Sequence, residues 1–270
     1  MTSRYIMISV LGIPFDNNSS FMRGPALAPT AIREAFHSDS ANYFTESGTD
    51  LKNHAGWKDV GDLTFGDDQP HDTIVRTVTK HLSGVSGMFV FGGDHSITYP
   101  VIKGFATKYR DLTIVHIDAH PDLYEDFDGN PHSHASPFAR IMEQGLCRRL
   151  IQVGIRTFNT HNREQVKKFG VEVIEMKDWN DSITFEIDGP AYLSFDLDAI
   201  DPGFAPGLSH HEPGGFTTRQ AISIIQKLQP KFVGADLVEL NPSRDVNGIT
   251  GMLAAKLFKE MLDLLLRSDQ

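Results

Sequence analysis

The sequence predicts an α/β protein with a three-layer αβα architecture and a mostly parallel, doubly wound sheet. Short apolar runs recur along all 270 residues, and stretches with helical spacing lie between several of them. The runs are continuously apolar rather than alternating, which is typical of strands buried on both faces. No composition break, low-complexity tract or internal repeat interrupts them, so one domain over residues 1–270 is predicted.

The apolar runs give the predicted strands in chain order. They are Tyr5–Leu11, Gly87–Phe91, Leu112–Ile117, Leu150–Val153, Val171–Ile174, Ala191–Phe195 and Lys231–Val238. Stretches with apolar residues three and four positions apart are predicted to be helices. They are Pro29–Phe36, Asp72–Leu82, Asn162–Phe169, Thr218–Leu228 and the amphipathic closing segment Met252–Arg267. In such folds, ligands bind beyond the carboxyl ends of the strands.

Composition narrows the function classes. The formal net charge of −10 argues against a nucleic-acid or anionic-membrane surface as partner. The single cysteine, Cys147, excludes an intrachain disulfide and suits a reducing compartment. The first apolar stretch, Ile6–Ile13, is too short to span a bilayer, and no targeting segment is evident. A cytoplasmic enzyme is therefore expected.

Two segments that follow apolar runs carry potential ligands at every second position. They are Asp118-Ala-His-Pro-Asp122 and Asp196-Leu-Asp198. Residues two apart in an extended chain point to the same side, so these side chains can converge. A histidine after another apolar run completes the candidate metal ligands: His95, Asp118, His120, Asp122, Asp196 and Asp198. Four clustered carboxylates repel one another unless cations neutralise them, and two divalent ions would balance the charge.

The donor types indicate which metal and which chemistry to expect. An oxygen-rich set with two imidazoles and no thiolate favours Mn²⁺ over Zn²⁺, while Ni²⁺, Co²⁺ and Fe²⁺ stay open. Two such ions can bridge a water and lower its pKa, which creates a hydroxide nucleophile. The same acids could form a Mg²⁺ site that handles phosphate, but neither a P-loop nor a GxGxxG pattern accompanies them.

Three segments resemble the signature motifs of the ureohydrolase family, which includes arginases and agmatinases. They are Gly92–Ser96, Asp118–Asp122 and Ser194–Pro202, with further similarity at Gly12–Asp16, Arg23–Arg33 and Asp236–Pro242. The resemblance implies an arginase-like fold, two Mn²⁺ ions held by the six ligands, and a homo-oligomer, either a trimer or a hexamer. It implies attack of a metal-bridging hydroxide on a small guanidino or amidino substrate, which yields urea and an amine. Asp118 or Asp122, together with Asp196, is expected to bridge the ions.

The resemblance also implies roles for residues near the metals. Glu239 occupies the position that holds the cationic, planar guanidinium, and His134 matches the histidine that carries a proton to the departing amine. Asp122 is counted with them as catalytic. Two purely structural alternatives stay open: Glu239 could form a salt bridge with Arg244, and His134 could be a surface histidine. His116 is expected to pack or to support a ligand rather than to bind metal itself.

The substrate end of the site departs from the familiar patterns. Tyr124 stands where arginases carry an asparagine, which favours agmatinase-like members. His210 and His211 replace part of a Gly-Thr-Gly-Thr-Pro stretch, so both are candidates for contact with the distal part of the substrate. Arg156 could add charge to this rim or form a structural salt bridge. An agmatinase-like activity is therefore expected first.

Other functions remain open at this stage. Within the family, the alternatives are a guanidino-acid hydrolase of the guanidinobutyrase type and a formimidoylglutamase. From other classes, the alternatives are a non-catalytic metal-binding homologue and a deacetylase with a single Zn²⁺ ion. The full set of four aspartates and two histidines argues against both of these.

Overall fold

A computed structural model, which describes residues 7–228 and 231–267, contains one eight-stranded parallel sheet. The strands are β1 (Ile8–Gly12), β2 (Trp57–Asp62), β3 (Gly87–Phe91), β4 (Thr113–Ile117), β5 (Arg149–Ile155), β6 (Glu172–Glu175), β7 (Pro190–Asp196) and β8 (Lys231–Val238). Their order across the sheet is β2-β1-β3-β8-β7-β4-β5-β6. The predicted fold class is confirmed.

Helices cover both faces of the sheet. They are α1 (Ala28–Phe36), α2 (Pro70–Leu82), α3 (Thr98–Phe105), α4 (Pro137–Glu143), α5 (Thr160–Phe169), α6 (Thr218–Lys227) and α7 (Ile249–Arg267). One apolar cluster packs α1, α6 and α7 against the sheet, and the other packs α2, α3, α4 and α5. Successive residues of a strand point to opposite faces of the sheet and so belong to different clusters. In β3, for example, Phe89 belongs to the first cluster and Val90 to the second.

Several elements escape the apolar-run pattern for physical reasons. Strand β2 is an edge strand with the polar sequence WKDVGD, so only its hydrogen bonds to β1 identify it. Helix α3 is buried almost all round and contains Pro100 and Gly104, which hides any amphipathic period. Helix α4 spans only seven residues. The predicted first strand begins later, at Ile8; its first two residues, Tyr5 and Ile6, lie outside the described residues.

The closing helix α7 is more deeply buried than an amphipathic surface helix. Charged residues on it are covered by the segment 38–56: Lys259 donates to the Asn42 carbonyl over 2.9 Å, and Asp263 accepts a 2.6 Å bond from the Thr49 hydroxyl. Glu260 pairs with Lys256 one turn away. Each buried charge therefore has a partner, as the cost of burying an isolated charge requires.

The strand order brings distant segments together. Strands β3, β8, β7 and β4 are neighbours at the centre of the sheet, and each is followed by one of the predicted site segments. The carboxyl ends of these parallel strands meet at one edge, so the order itself gathers the site. A single domain over residues 1–270 remains a prediction. Among the described residues, no helix is both long and apolar enough to cross a membrane.

Candidate metal centre and active site

The imidazole of His95 faces three carboxylates at the carboxyl edge of the sheet. Its Nδ1 lies 3.1 Å from Asp118 Oδ2, 3.0 Å from Asp122 Oδ2 and 3.1 Å from Asp196 Oδ2. These groups are almost completely buried. Three segments that are distant in sequence thus direct four potential donor atoms at one point.

A second group of donors lies next to the first. His120 Nδ1 is 2.9 Å from Asp198 Oδ2 and 3.5 Å from Asp118 Oδ1. Asp118 therefore turns one carboxylate oxygen toward His95 and the other toward His120. Potential metal-ligand atoms of Asp118, His120 and Asp198 lie within 4.8 Å of one another, as do those of a group containing His95, Asp118 and Asp122.

Backbone amides hold the carboxylates in place. The His120 N–H donates to Asp118 Oδ1 over 2.6 Å, and the Asp198 N–H donates to Asp196 Oδ1 over 2.8 Å. The N–H of Ala119 donates to Asp198 Oδ1 over 3.1 Å. Asp122 adopts a φ of 49°, in the left-handed region that few non-glycine residues occupy. These contacts fix side chains that would otherwise repel one another.

The electrostatics of this cluster favour bound cations. Burial, followed by the charges of Asp198 and Asp118, raises the pKa of Asp196 well above its usual range. Burial and the Asp118 charge raise the pKa of Asp198 to about 6. The buried His95 Nδ1 completes no hydrogen bond despite its three carboxylate neighbours. A lone pair aimed at several carboxylate oxygens fits a divalent metal, and the donor types suit a hard ion such as Mn²⁺.

The other nitrogen of His95 is held by a buried polar chain. His95 Nε2 lies 3.0 Å from Ser194 Oγ, and that hydroxyl donates to Asp236 Oδ1 over 2.7 Å. Because Ser194 uses its proton on Asp236, its oxygen accepts from His95 Nε2–H. The arrangement leaves Nδ1 free to bind metal, which is the usual function of such supporting hydrogen bonds.

Glu239 and His134 form a buried pair beside the candidate metal ligands. Glu239 Oε1 accepts from His134 Nδ1 over 2.8 Å and from the His95 backbone N–H over 2.9 Å. Burial lowers the pKa of His134, but the charge and hydrogen bond of Glu239 outweigh it and raise that pKa to about 9. The Ser20 backbone N–H donates to His134 Nε2 over 3.1 Å, and the Ser20 hydroxyl lies 2.8 Å from the same nitrogen.

The structure contradicts the two structural alternatives for this pair, which were a Glu239–Arg244 salt bridge and a surface position for His134. The guanidinium of Arg244 lies against Met22 Sδ, 3.0 Å away, while Glu239 bonds His134. His134 is buried rather than at the surface. Glu239 also has a φ of 67°, so its backbone is held in a sparsely populated conformation. Observed strain of this kind is common at functional sites.

A cavity of about 280 Å³ opens above the candidate metal ligands, four of which line it: His120, Asp122, Asp196 and Asp198. The cavity is lined partly by residues that the sequence predicted. It is also lined by residues that the sequence did not predict, among them Ser20, Phe127, Thr157, Asn162 and Glu212. Glu212 Oε1 lies 3.5 Å from His120 Nε2. Ser20 could not be found from the sequence because it is 114 residues from its partner His134. Glu212 follows the singled-out His210-His211 pair directly, which is the signal that could have identified it.

The predicted substrate residues have different positions. Tyr124 lines the cavity, and its hydroxyl accepts a 2.5 Å bond from Asn159 Nδ2. His210 also lines it, with its ring centroid 5.3 Å from that of His134. His211 is not among the lining residues; it is exposed, and its Nε2 lies 2.9 Å from the Pro206 carbonyl oxygen. Of the two histidines, the structure therefore brings only His210 to the cavity.

Arg156 shapes the loop that carries these histidines. Its guanidinium donates to backbone carbonyl oxygens, including those of Asp198, Ala199 and Glu212. It therefore stabilises the loop, but through carbonyl groups rather than the carboxylate salt bridge that was expected. Asp201 accepts from the N–H groups of Gly203 and Gly214, a similar structural role.

Comparison with known proteins supplies the remaining context. Residues 6–263 match the model of the Arginase family. Arginase 1, mitochondrial, of Arabidopsis thaliana is 45% identical over 277 residues, which cover 94% of this chain and 79% of the relative. The solved arginase of Medicago truncatula superposes with a TM-score of 0.90 at 42% identity, covering 97% of this chain and 88% of that one.

An agmatinase of Photorhabdus laumondii subsp. laumondii is 35% identical, over 94% of this chain and 86% of the relative. The expected closeness to agmatinase-like members is therefore not supported, because both arginases are more similar to the chain. That expectation depended on one residue, Tyr124, and a single position on the cavity wall is a weak guide to the substrate.

Proposed function

Because this chain belongs to the arginase family, we propose that it is a binuclear-metal amidinohydrolase that cleaves L-arginine to urea and L-ornithine. One observation carries the proposal: six donor residues converge as two adjacent groups at the base of a cavity. The residues that would hold the metals are His95, Asp118, His120, Asp122, Asp196 and Asp198. Two bound divalent ions, proposed to be Mn²⁺, supply an activated water as nucleophile at neutral pH.

Glu239 is positioned to receive the guanidinium. It lines the same cavity as Asp122 and Asp196, and its Oε1 accepts a hydrogen bond from the His95 backbone N–H. Burial opposes ionisation, but His134 lowers the pKa of Glu239, so the carboxylate carries its charge at neutral pH. An ionised carboxylate matches the planar fork of donors on a guanidinium.

His134 is proposed to deliver the proton that the departing amine needs. Its Nδ1–H donates to Glu239, and its Nε2 contacts the Ser20 hydroxyl. The imidazole therefore stands between the residue that holds the guanidinium and a hydroxyl at the cavity wall. Because its pKa is raised to about 9, the His134 imidazole is protonated at neutral pH and can act as general acid toward a substrate nitrogen.

L-arginine is proposed as the substrate on two grounds. The two plant relatives at 45% and 42% identity are named arginases. The cavity wall also carries Glu212, whose pKa is lowered by its hydrogen bond to His120, so it is a negative charge suited to an α-ammonium group. Burial lowers the pKa of the His210 imidazole, so the ring is neutral at pH 7. A neutral imidazole keeps one N–H, which can donate to a substrate carboxylate.

A substrate panel tests this proposal. The Mn²⁺-loaded protein is assayed with L-arginine, agmatine, guanidinobutyrate and guanidinopropionate for urea, and with formiminoglutamate for formamide. We expect urea from L-arginine with kcat/KM of about 10⁴ M⁻¹s⁻¹ or more, at least about tenfold above every other compound. Preference for another guanidino compound would replace the substrate but keep the reaction class. No turnover, with two ions bound, would contradict the hydrolase assignment and favour a non-catalytic homologue.

Assembly and location remain predictions. We propose a homo-oligomer, a trimer or a hexamer, which light scattering of the purified protein can test. A cytoplasmic location is likewise proposed; the Arabidopsis relative is named mitochondrial.

A further inference from the structure

His116 lies directly behind the ligand Asp118. It is fully buried in β4, and its Nε2 is 2.7 Å from Asp118 Oδ2. The ring of Phe138 stacks on it with centroids 3.9 Å apart. By distance alone, His116 belongs to the same group of potential metal ligands as His95, Asp118 and Asp122. Whether it binds metal depends on where its proton is.

Gln152 determines the position of that proton. It stands beside His116 in the register of β4 and β5, and its Nε2 lies 2.6 Å from the Pro121 carbonyl oxygen and 3.0 Å from His116 Nδ1. A carbonyl oxygen only accepts, so the atom facing Pro121 must be the amide nitrogen. Its second hydrogen points at His116 Nδ1, which therefore accepts.

The tautomer of His116 follows from these contacts. A neutral imidazole that accepts at Nδ1 carries its hydrogen on Nε2, and Nε2–H then donates to Asp118 Oδ2. Neither nitrogen keeps a lone pair for a metal ion. The geometry thus excludes His116 from the ligands in spite of its distance.

The hydrogen bond acts on the oxygen that faces His95. Asp118 Oδ2 is 3.1 Å from His95 Nδ1, whereas Oδ1 accepts from the His120 N–H. The carboxylate is therefore held at both oxygens, one by a backbone amide and the other by His116. Its rotation about the side-chain bond is restricted, with one oxygen presented to each half of the metal centre.

We propose that Gln152 and His116 form a positioning pair: Gln152 locks His116 as the Nε2–H tautomer, and His116 orients Asp118 to hold the ion on the His95 side. This inference rests on the proposed metal centre. Supporting hydrogen bonds of this type change metal affinity by about 10- to 100-fold when they are removed. Gln152 reaches Asp118 through His116, and its bond to the Pro121 carbonyl also anchors the segment between His120 and Asp122.

Metal affinity in two variants and their combination tests the pair. His116→Phe keeps a ring to stack on Phe138 but removes the donor, and Gln152→Leu removes the amide. Chelator competition with Mn²⁺ and metal analysis at saturation give affinity and stoichiometry. We expect two ions per chain in each variant, one of them bound about 10- to 100-fold more weakly. The double variant should lose less affinity than the sum of the two single losses, because the effects of coupled residues are not additive.

Gln165→Leu is the matched control: it makes the same change in a buried glutamine of α5, whose side chain lies against His161 (Nε2 to Nε2, 3.5 Å) and Glu125. Its metal affinity should equal that of the parent protein. Unchanged affinity in His116→Phe, or additive losses in the double variant, would overturn the pair. A fall to one ion in His116→Phe would show instead that His116 is a ligand. If the parent protein bound no metal, the proposed function itself would fail.

Nitrogen-15 NMR of the histidine-labelled parent protein, loaded with diamagnetic Zn²⁺, gives a readout that needs no variant to fold. We expect a protonated Nε2 and an unprotonated Nδ1 for His116. Its signal is identified by its loss in His116→Phe or, if that variant does not fold, by nuclear Overhauser effects between its ring protons and those of Phe138. A protonated Nδ1 would contradict the assignment.

Discussion

The base of the cavity and its rim are built in different ways. The base consists of the six candidate metal ligands and Glu239. Except for His120 they are buried, and the carboxylates of Asp118, Asp196, Asp198 and Glu239 accept hydrogen bonds from backbone N–H groups. The rim consists of Tyr124, His210 and Glu212, which are partly exposed and are held mainly by side-chain contacts. Base residues follow four adjacent central strands, whereas rim residues come from loops.

This difference suggests that the base carries out the reaction and that the rim selects the substrate. A rigid, buried set of donors can fix metals and a guanidinium, so in the proposed reaction the base would determine which bond is cleaved. Loops on a rigid scaffold can vary in sequence without disturbing it. We therefore expect changes at the base to abolish turnover, and changes at the rim to redirect it.

The largest effect is expected from Asp198→Ala. Loss of this carboxylate removes a ligand from the His120 side, and metal chemistry contributes several kcal/mol, so kcat/KM should fall on the order of 10³-fold or more. Bound metal per chain should fall in parallel. The control is Asp201→Asn, an acid three residues away that only bonds loop N–H groups. Normal turnover in Asp198→Ala would break the distinction between base and rim.

Glu239→Gln should come next. The variant loses the charge that pairs with the guanidinium while both ions stay bound, because Glu239 is not among the ligands. Removing one partner of a buried charge pair costs about 2–5 kcal/mol, which corresponds to a loss in kcat/KM of about 30- to 4,000-fold. Steady-state assays with metal analysis check this; loss of an ion would instead place Glu239 in the metal centre.

The Glu239–His134 pair predicts a pH-dependent stability in the metal-free protein. The pKa of His134 is 6.5 in a model compound and about 9 in the fold, so below pH 6.5 both states hold the proton and the pair stabilises fully. As the pH rises from 6.5 to 9, the unfolded chain releases its proton first and this stability is lost. The parent protein should be more stable than His134→Asn at pH 6.5, and this difference in free energy of unfolding should decrease by about 1–3 kcal/mol between pH 6.5 and 9.

Denaturant unfolding at a series of pH values measures the difference. A stability difference that stays constant between pH 6.5 and 9 would contradict the proposed pairing.

His210→Thr should give the smallest effect and sharpen the contrast. It alters the cavity wall but removes no proposed metal ligand, although the His210 ring lies edge-on to that of His120 with centroids 6.0 Å apart. Relative kcat/KM for arginine and agmatine should therefore shift by about tenfold, within the range of one pocket contact. Metal content should not change. His211→Thr, at the exposed neighbouring histidine, is the control and should leave both substrates unaffected. Loss of metal in His210→Thr would mean that the loop belongs to the base.

The same contrast explains what the sequence could predict. Asp118, His120 and Asp122 lie in one extended segment, so their spacing alone predicts their convergence. The parallel strand order then brings Asp196 and His95 to them, as expected for carboxyl ends at one edge. Helix α3 and strand β2 were missed because a fully buried helix and a polar edge strand both lack the expected periodicity.

The rim could not be predicted in the same way. Which of His210 and His211 faces the cavity depends on the turn that Arg156 fixes through backbone carbonyls. The contact between Ser20 and His134 joins loops far apart in the chain. Such long-range loop contacts leave no local pattern, so only the fold reveals them.

Anomalous X-ray diffraction at the manganese edge, from crystals grown with Mn²⁺, tests the central claim most directly. The account predicts two peaks about 3.5–4 Å apart, one against His95 Nδ1 and the other against His120 Nδ1, with Asp118 reaching both. A single peak, or none between these two histidines, would contradict the binuclear centre on which the proposed reaction depends.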